Sequence, residues 1–338
     1  MTHPTPPALE TMAGQRLMLG FDGTEMNSTL ERVIKDFRAG GIILFRPNIE
    51  SAPQLERLCK DAQDLARAQG LPPLFIAVDQ EGGTVARLRQ PDYTEFAGND
   101  HIRTLEEAEN FARITAQELK GAGINMNLAP VLDTAHEEAG SIMKKRAFPG
   151  DEHRVAELGC RVISTFQESG IMAVAKHFPG IGRTVLDSHF TLPVLDMDLE
   201  DIQTTDMVPF KAAMDQGVTG VMLSHIFYPR LDSQWQASLS PAIARDLIRN
   251  TLGYQGLTLT DDMDMKAISH DMATCVRQVL KAEIDLTLIC HTGPDMETAF
   301  KEMVFLLEQD VELHERALTN HERILGVKAD TLGHSEPS

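Results

Sequence analysis

Short apolar runs recur along this chain, and stretches with helical periodicity separate them. The runs fall at Arg16–Phe21, Gly41–Phe45, Leu74–Val78, Ile124–Leu128, Ile171–Ala175, Gly220–Leu223, Leu257–Leu259 and Ile284–Ile289. Amphipathic stretches alternate with them, at Leu30–Phe37, Ala52–Gln69, Leu105–Ala122, Arg154–Ser169, Pro209–Gln216, Pro241–Thr251 and Asp271–Ala282. A last helical stretch, Val311–Leu325, follows. Strands alternating with helices predict parallel βαβ units. Runs apolar on both faces suit a sheet covered on both sides. Eight units point to an α/β fold closed as a single (β/α)8 TIM barrel; an open doubly wound sheet is the alternative. No GxGxxG follows the first run and no Walker sequence is present, so the dinucleotide and P-loop readings lack their fingerprint. No linker divides the middle of the chain. The expected organisation is a tail over 1–12, a barrel over 13–328 and a second tail over 329–338.

Charge narrows the partners. Lys and Arg number 31 against 50 Asp and Glu, a net charge of -19. That disfavours nucleic acid and anionic membrane surfaces, which need a basic face. The opening MTHPTPPALETMAGQ has neither a basic n-region nor an apolar h-region, so a cytoplasmic location is expected. Cys59, Cys160, Cys275 and Cys290 are scattered singly, which fits reduced thiols better than disulfides or a zinc site.

In a barrel, chemistry sits just past the C-terminal ends of the strands. Titratable groups gather there. The third run ends in Asp79-Gln80-Glu81-Gly82-Gly83, with Arg87 beyond. The fourth leads to Asp133, with Lys144, Lys145 and Arg146 further on. The fifth ends in Lys176-His177, followed by Asp187-Ser188-His189. The sixth ends in Ser224-His225, the seventh in Thr260-Asp261-Asp262-Met263-Asp264, and the eighth in His291. Each has a bland reading. Asp79 can cap a helix, His225 can be a satisfied rim histidine, His291 reads as structural, and Asp262 and Asp264 can start the next helix. Asp261 comes directly off its strand and is the best nucleophile candidate.

Taken together, VDQEGG, NLAPVLD, KHFPG, DSH and LTDDMDM resemble family 3 glycoside hydrolases, in the bacterial β-N-acetylglucosaminidase branch that works in peptidoglycan recycling. The resemblance spans about residues 12–327 and keeps the motifs in order. It implies Asp261 as nucleophile, and His189 as acid/base with Asp187 as its partner. It implies Asp79, Arg87, Arg146, Lys176 and His177 as the groups that hold the sugar. It also implies a monomer acting on a small carbohydrate, GlcNAc linked to an anhydro-muramic acid or a muropeptide, with no cofactor and no metal. Two positions depart from the pattern: Ile181 stands where the family has a second histidine, and Thr84 where it has an arginine.

Glycoside cleavage needs one group at the anomeric carbon and another to protonate the leaving oxygen. An imidazole, ordinarily titrating near about 6.5, can be acid and then base near neutral pH. A carboxylate two residues away can hold its tautomer. The segment carrying His189 is expected to close over substrate. Two rivals remain. His177, His189, His225, His291 and Asp261 can in principle ring a metal ion, although no HxH or HExxH pattern occurs. A non-catalytic sugar-binding barrel is the other, but pure binding needs neither Asp261 nor the Asp187/His189 pair. Phosphate in place of water in the second step is a third possibility.

Overall fold

The computed structural model describes residues 7–136, 140–185 and 192–333. Its strands are β1 (Leu17–Leu19), β2 (Gly41–Leu44), β3 (Phe75–Val78), β4 (Gln80–Gly82), β5 (Val85–Ala86), β6 (Met126–Asn127), β7 (Met172–Phe178), β8 (Gly220–Leu223), β9 (Leu257–Asp262) and β10 (Leu286–Ile289). Eight of them close a parallel barrel in the order β1-β10-β9-β8-β7-β6-β3-β2. The remaining two, β4 and β5, form a small antiparallel ribbon on its rim.

The strands read as continuous apolar runs because their two faces fill two different cores. Met18, Ile43, Phe75, Met126, Val174, Met222, Leu259 and Leu288 pack together in one cluster inside the barrel. Their neighbours Leu17, Leu19, Ile42, Leu44, Ile76 and Val221 join the larger cluster beneath the helices. Strand alternation with a period of two produces both layers at once. The helices begin where the sequence supplies caps. Ser51 and Thr104 open α3 (Ala52–Ala68) and α4 (Leu105–Gly121) with capping boxes completed by Gln54 and Glu107. Asp151 and Asp271 cap α5 (Glu152–Glu168) and α8 (Met272–Lys281).

The last helix, α10 (Val311–Leu332), closes the bottom. Ile324 enters the interior cluster, and Lys328 donates to Gln15 Oε1 at 2.7 Å and to the Gly40 carbonyl at 2.8 Å. Its Nζ sits 4.7 Å from the Phe75 ring centroid, and burial pushes the amine's pKa well below its ordinary value.

Several boundaries differ from expectation. Strand β7 runs through Lys176 and His177 to Phe178, and β9 through Asp261 to Asp262. Polarity made these residues read as loop, yet Lys176 and Asp262 pair with parallel neighbours, and His177 and Asp261 lie in the same strands at register shifts. Helix α1 (Leu9–Gln15) starts inside the expected tail, with Met12 buried, and α10 runs past 329. Helix α9 (Pro294–Gln309) was missed, although Met296, Ala299, Met303 and Leu307 repeat at helical spacing. Among the described residues no helix is long and apolar enough to cross a membrane.

One ion cluster ties the barrel wall to the helices. Asp285, fully buried, accepts from Arg249 Nη2 at 2.5 Å, Arg323 Nη1 at 2.6 Å, Asn320 Nδ2 at 2.6 Å and the Thr258 amide at 2.8 Å. Burial alone raises its pKa, but Arg249 and Arg323 outweigh that and hold the carboxyl below its usual range. Asp285→Asn leaves the buried Arg249 and partly buried Arg323 guanidinium groups without their anion, a loss of about 3–5 kcal/mol. The expected result at pH 7 is a melting midpoint lower by roughly 5–15 °C. A depressed carboxyl stabilises above its unfolded pKa and stops doing so as pH falls through the folded value, so the gap should close in strong acid. Thermal melts at both pH values check this.

Candidate active site

The open end of the barrel holds a cleft of about 780 Å³, its mouth included. Asp79, Glu81, Arg87, Arg146, Lys176, His177, Asp261 and Asp262 line it, with Phe45, Ile181 and Met265 as apolar walls. Asp79, Arg87, Arg146, Lys176, His177 and Asp261 from the sequence reading share this cleft, whereas Asp133, His225, Asp264 and His291 are not among its lining residues. Asp187 and His189 lie outside the described residues.

The cleft is built around Lys176. Its ammonium, 3% exposed, lies 2.7 Å from Asp79 Oδ1 and 2.6 Å from Glu81 Oε1. Arg146 closes the other side of Glu81 with two parallel bonds, Nε to Oε2 at 2.9 Å and Nη2 to Oε1 at 2.8 Å. Arg87 Nη2 reaches Asp79 Oδ2 at 3.1 Å. Burial pushes both carboxyls up, and the cations more than reverse it. Asp79 is held well below its ordinary value by Lys176 and Arg87, and Glu81 falls to about 2 through Lys176 and Arg146. Two anions and three cations in contact form a fixed set of charged donors and acceptors facing the cleft, suited to several hydroxyl groups at once.

Local structure explains how they meet. Asp79 directly follows β3, and Glu81 is two residues on in extended chain, so both side chains point the same way. The ribbon then reverses through Gly83, at φ 60°, where an added Cβ would lie 2.8 Å from the Ala97 carbonyl oxygen. The Gln80 side chain accepts from the amides of Arg87 and Leu88 at 2.8 and 3.0 Å. That turn brings Arg87 back over Asp79, and its guanidinium sits 5.3 Å from the Phe45 ring centroid. Thr84 is an exposed residue of the turn, so the departure there lies outside the ion network. Glu81 was missed by the sequence reading; its spacing of two from Asp79 was the available signal.

Asp261, the penultimate residue of β9, accepts from the amide of Asp262 at 2.8 Å. Burial raises its carboxyl, but the neighbouring His177 and His225 and this amide outweigh it, leaving the group below its ordinary range. An ionised carboxylate in a mostly enclosed cleft is the state a nucleophile needs. His225 bridges behind it, with Nδ1 2.6 Å from Ser238 Oγ and Nε2 2.8 Å from the Asp262 carbonyl. His177 Nδ1 is taken by Asp133 Oδ2 at 2.7 Å. Among the described residues, His177 and His225 thus turn Nδ1 to different protein partners, Asp133 and Ser238.

Among the described residues, Asp262, Asp264 and His291 are close enough to share an ion. Their carboxylates already accept the amides of Asp264, Cys290 and His291 at 3.0, 3.2 and 2.7 Å. Neither Asp262 nor Asp264 caps the next helix; Asp271 does. His291 stacks on Phe45 with centroids 6.2 Å apart. Ile181 lines the cleft, 5% exposed, and its contribution is through its main chain: the amide donates to Asp133 Oδ1 at 2.8 Å.

Burial, with Asp264 and Asp261 nearby, raises the Asp262 carboxyl to about 6. A raised carboxyl favours the fold while protonated, and that contribution is lost as pH rises through the folded value. Asp262→Asn keeps the Oδ1 acceptor and removes the charge. It should be more stable than wild type by up to about 2 kcal/mol at pH 7.5, with no advantage below about pH 4. Denaturant melts at the two pH values measure it.

Residues 8–326 match the family model described as the glycosyl hydrolase family 3 N terminal domain. A β-hexosaminidase of Methylobacillus flagellatus is 35% identical over 285 residues, covering 81% of this chain and 80% of that one. The solved family 3 β-N-acetylglucosaminidase from a Paenibacillus species superposes with a TM-score of 0.93 at 32% identity. That match covers 98% of this chain and 64% of the Paenibacillus chain, so the latter is substantially longer. The β-N-acetylhexosaminidase of Beutenbergia cavernae gives a TM-score of 0.89 at 26% identity, covering 96% and 99% of the two chains. With its barrel, its cleft and a model match over nearly its whole length, the chain belongs to glycosyl hydrolase family 3.

Proposed function

We propose that this glycoside hydrolase is a retaining exo-β-N-acetylhexosaminidase that releases terminal GlcNAc from peptidoglycan-derived fragments in the cytoplasm. The observation that carries the reading is Asp261, held ionised at the end of β9 in the same cleft as the Asp79–Lys176–Glu81–Arg146 network. The names of the relatives support the choice of sugar.

Asp79, Arg87, Arg146, Lys176 and His177 hold the sugar hydroxyls. The Asp261 carboxylate attacks the anomeric carbon as the glycosidic C–O bond breaks. His189, oriented by Asp187, gives its proton to the leaving oxygen. Water then attacks the same carbon, returns a proton to His189 and releases Asp261 from its ester. Two inversions leave the product with the configuration of the substrate. The protein acts as a monomer and needs no bound cofactor for either step.

Two chromogenic substrates test this. The p-nitrophenyl N-acetyl-β-glucosaminide should be cleaved at least about 100-fold faster than the plain β-glucoside, as loss of a hydrogen-bonded substrate group costs at this scale. A preference for the plain glucoside redirects the substrate assignment. Asp261→Ala should lower kcat by at least about 10⁴-fold with an unchanged melting midpoint. Wild-type turnover in that variant overturns the nucleophile assignment. Rates with and without added phosphate separate hydrolysis from phosphorolysis.

A further inference from the structure

Asp133 is a fully buried carboxylate with no role in the mechanism above. It precedes the described end of its loop at 136, and none of its oxygens meets a lysine or arginine within ion-pair distance among the described residues. Instead both oxygens turn onto the end of β7. Oδ2 lies 2.7 Å from His177 Nδ1, and the His177 amide donates to it at 3.2 Å. Oδ1 accepts from the Ile181 amide at 2.8 Å. The two loops stay in register beyond this point. An added Cβ on Gly182 would lie 1.7 Å from the Thr134 carbonyl oxygen, and the His136 amide donates to the Gly182 carbonyl at 3.2 Å.

A carboxylate can only accept, so the ring nitrogen it faces must carry the proton. We infer that Asp133 is a positioning residue for the reaction, fixing His177 as the Nδ1–H tautomer so that Nε2 is the nitrogen presented to the sugar. In the neutral ring Nε2 then accepts a hydroxyl proton, while Lys176 beside it supplies a donor. Adjacent residues thereby offer opposite hydrogen-bonding character. The same carboxylate sets the stem of the loop at residue 181, and it reaches that stem by the main chain. This is why the clamp is indifferent to an isoleucine there.

The proposal rests on His177 contacting the sugar, so the test varies both residues. The variants are Asp133→Asn, His177→Gln and the double variant, assayed with the chromogenic N-acetyl-β-glucosaminide. Asn keeps the volume, and the Ile181 amide, a fixed donor, holds its one carbonyl oxygen at the Oδ1 position, so the NH2 that cannot accept faces Nδ1. In Asp133→Asn, kcat/KM should fall about 10- to 100-fold, the scale of one charge-assisted hydrogen bond. In the His177→Gln background the same change should cost less than about threefold, since coupled residues are not additive. Long-range ¹⁵N–¹H correlation on histidine-labelled protein at pH 8 should show Nδ1–H for His177 in the wild type and Nε2–H in Asp133→Asn. A purely structural Asp133 would lower the melting midpoint without changing the tautomer. An unchanged tautomer, or an equal loss in both backgrounds, overturns the proposal. Wild-type kinetics in His177→Gln overturn the sugar contact itself and the proposal with it.

Discussion

The site depends on one buried ammonium. Lys176 sits between Asp79 and Glu81, on a strand otherwise made of core residues, where an unpaired charge would cost several kcal/mol. The arrangement is tolerated because each charge is met. Glu81 also takes the fork of Arg146, and Asp79 takes Arg87. Lys176 and Glu81 are almost wholly shielded from water. What remains is a set of charges fixed in direction before any ligand arrives, which is the condition for electrostatic preorganisation.

The barrel supplies the geometry that makes this possible. Parallel strands place the ends of β3, β7 and β9 at one rim, though they are far apart in sequence. The cations that hold Asp79 and Glu81 come from three places: the rim ribbon, the loop after β6 and β7 itself. The Asp133 carboxylate repeats the principle one layer down, where a buried acceptor fixes a ring and two amides rather than a substrate. At the opposite end, Lys328 and the Asp285 cluster close and tie the barrel with no access to ligand. Charged groups at the two ends therefore serve different purposes: those at the top face a cleft, and those at the bottom face the protein.

Hydrophobic periodicity was enough to read eight strands and a closed barrel, because a strand buried on both faces leaves a continuous apolar signature. It failed where polar residues continue a strand. Lys176, His177, Asp261 and Asp262 all looked like loop, yet each pairs with or extends a β-strand. Composition cannot show that a lysine will be neutralised in place. Glu81 escaped notice for a related reason: its importance comes from Arg146, a residue 65 positions away.

The order of apolar runs and the clustering of titratable residues after strands were determined by the sequence alone. These are local properties, set by alternation, helix ends and turn chemistry. Tertiary structure decided which of those titratable groups face one another. It separated His225 and His291 from a shared metal site, gave Lys176 two anions, and turned Asp133 toward His177. It also showed that Ile181 acts through its backbone, which no side-chain motif can reveal. Such pairings depend on the barrel closing, because only closure brings strand ends distant in sequence within hydrogen-bond range.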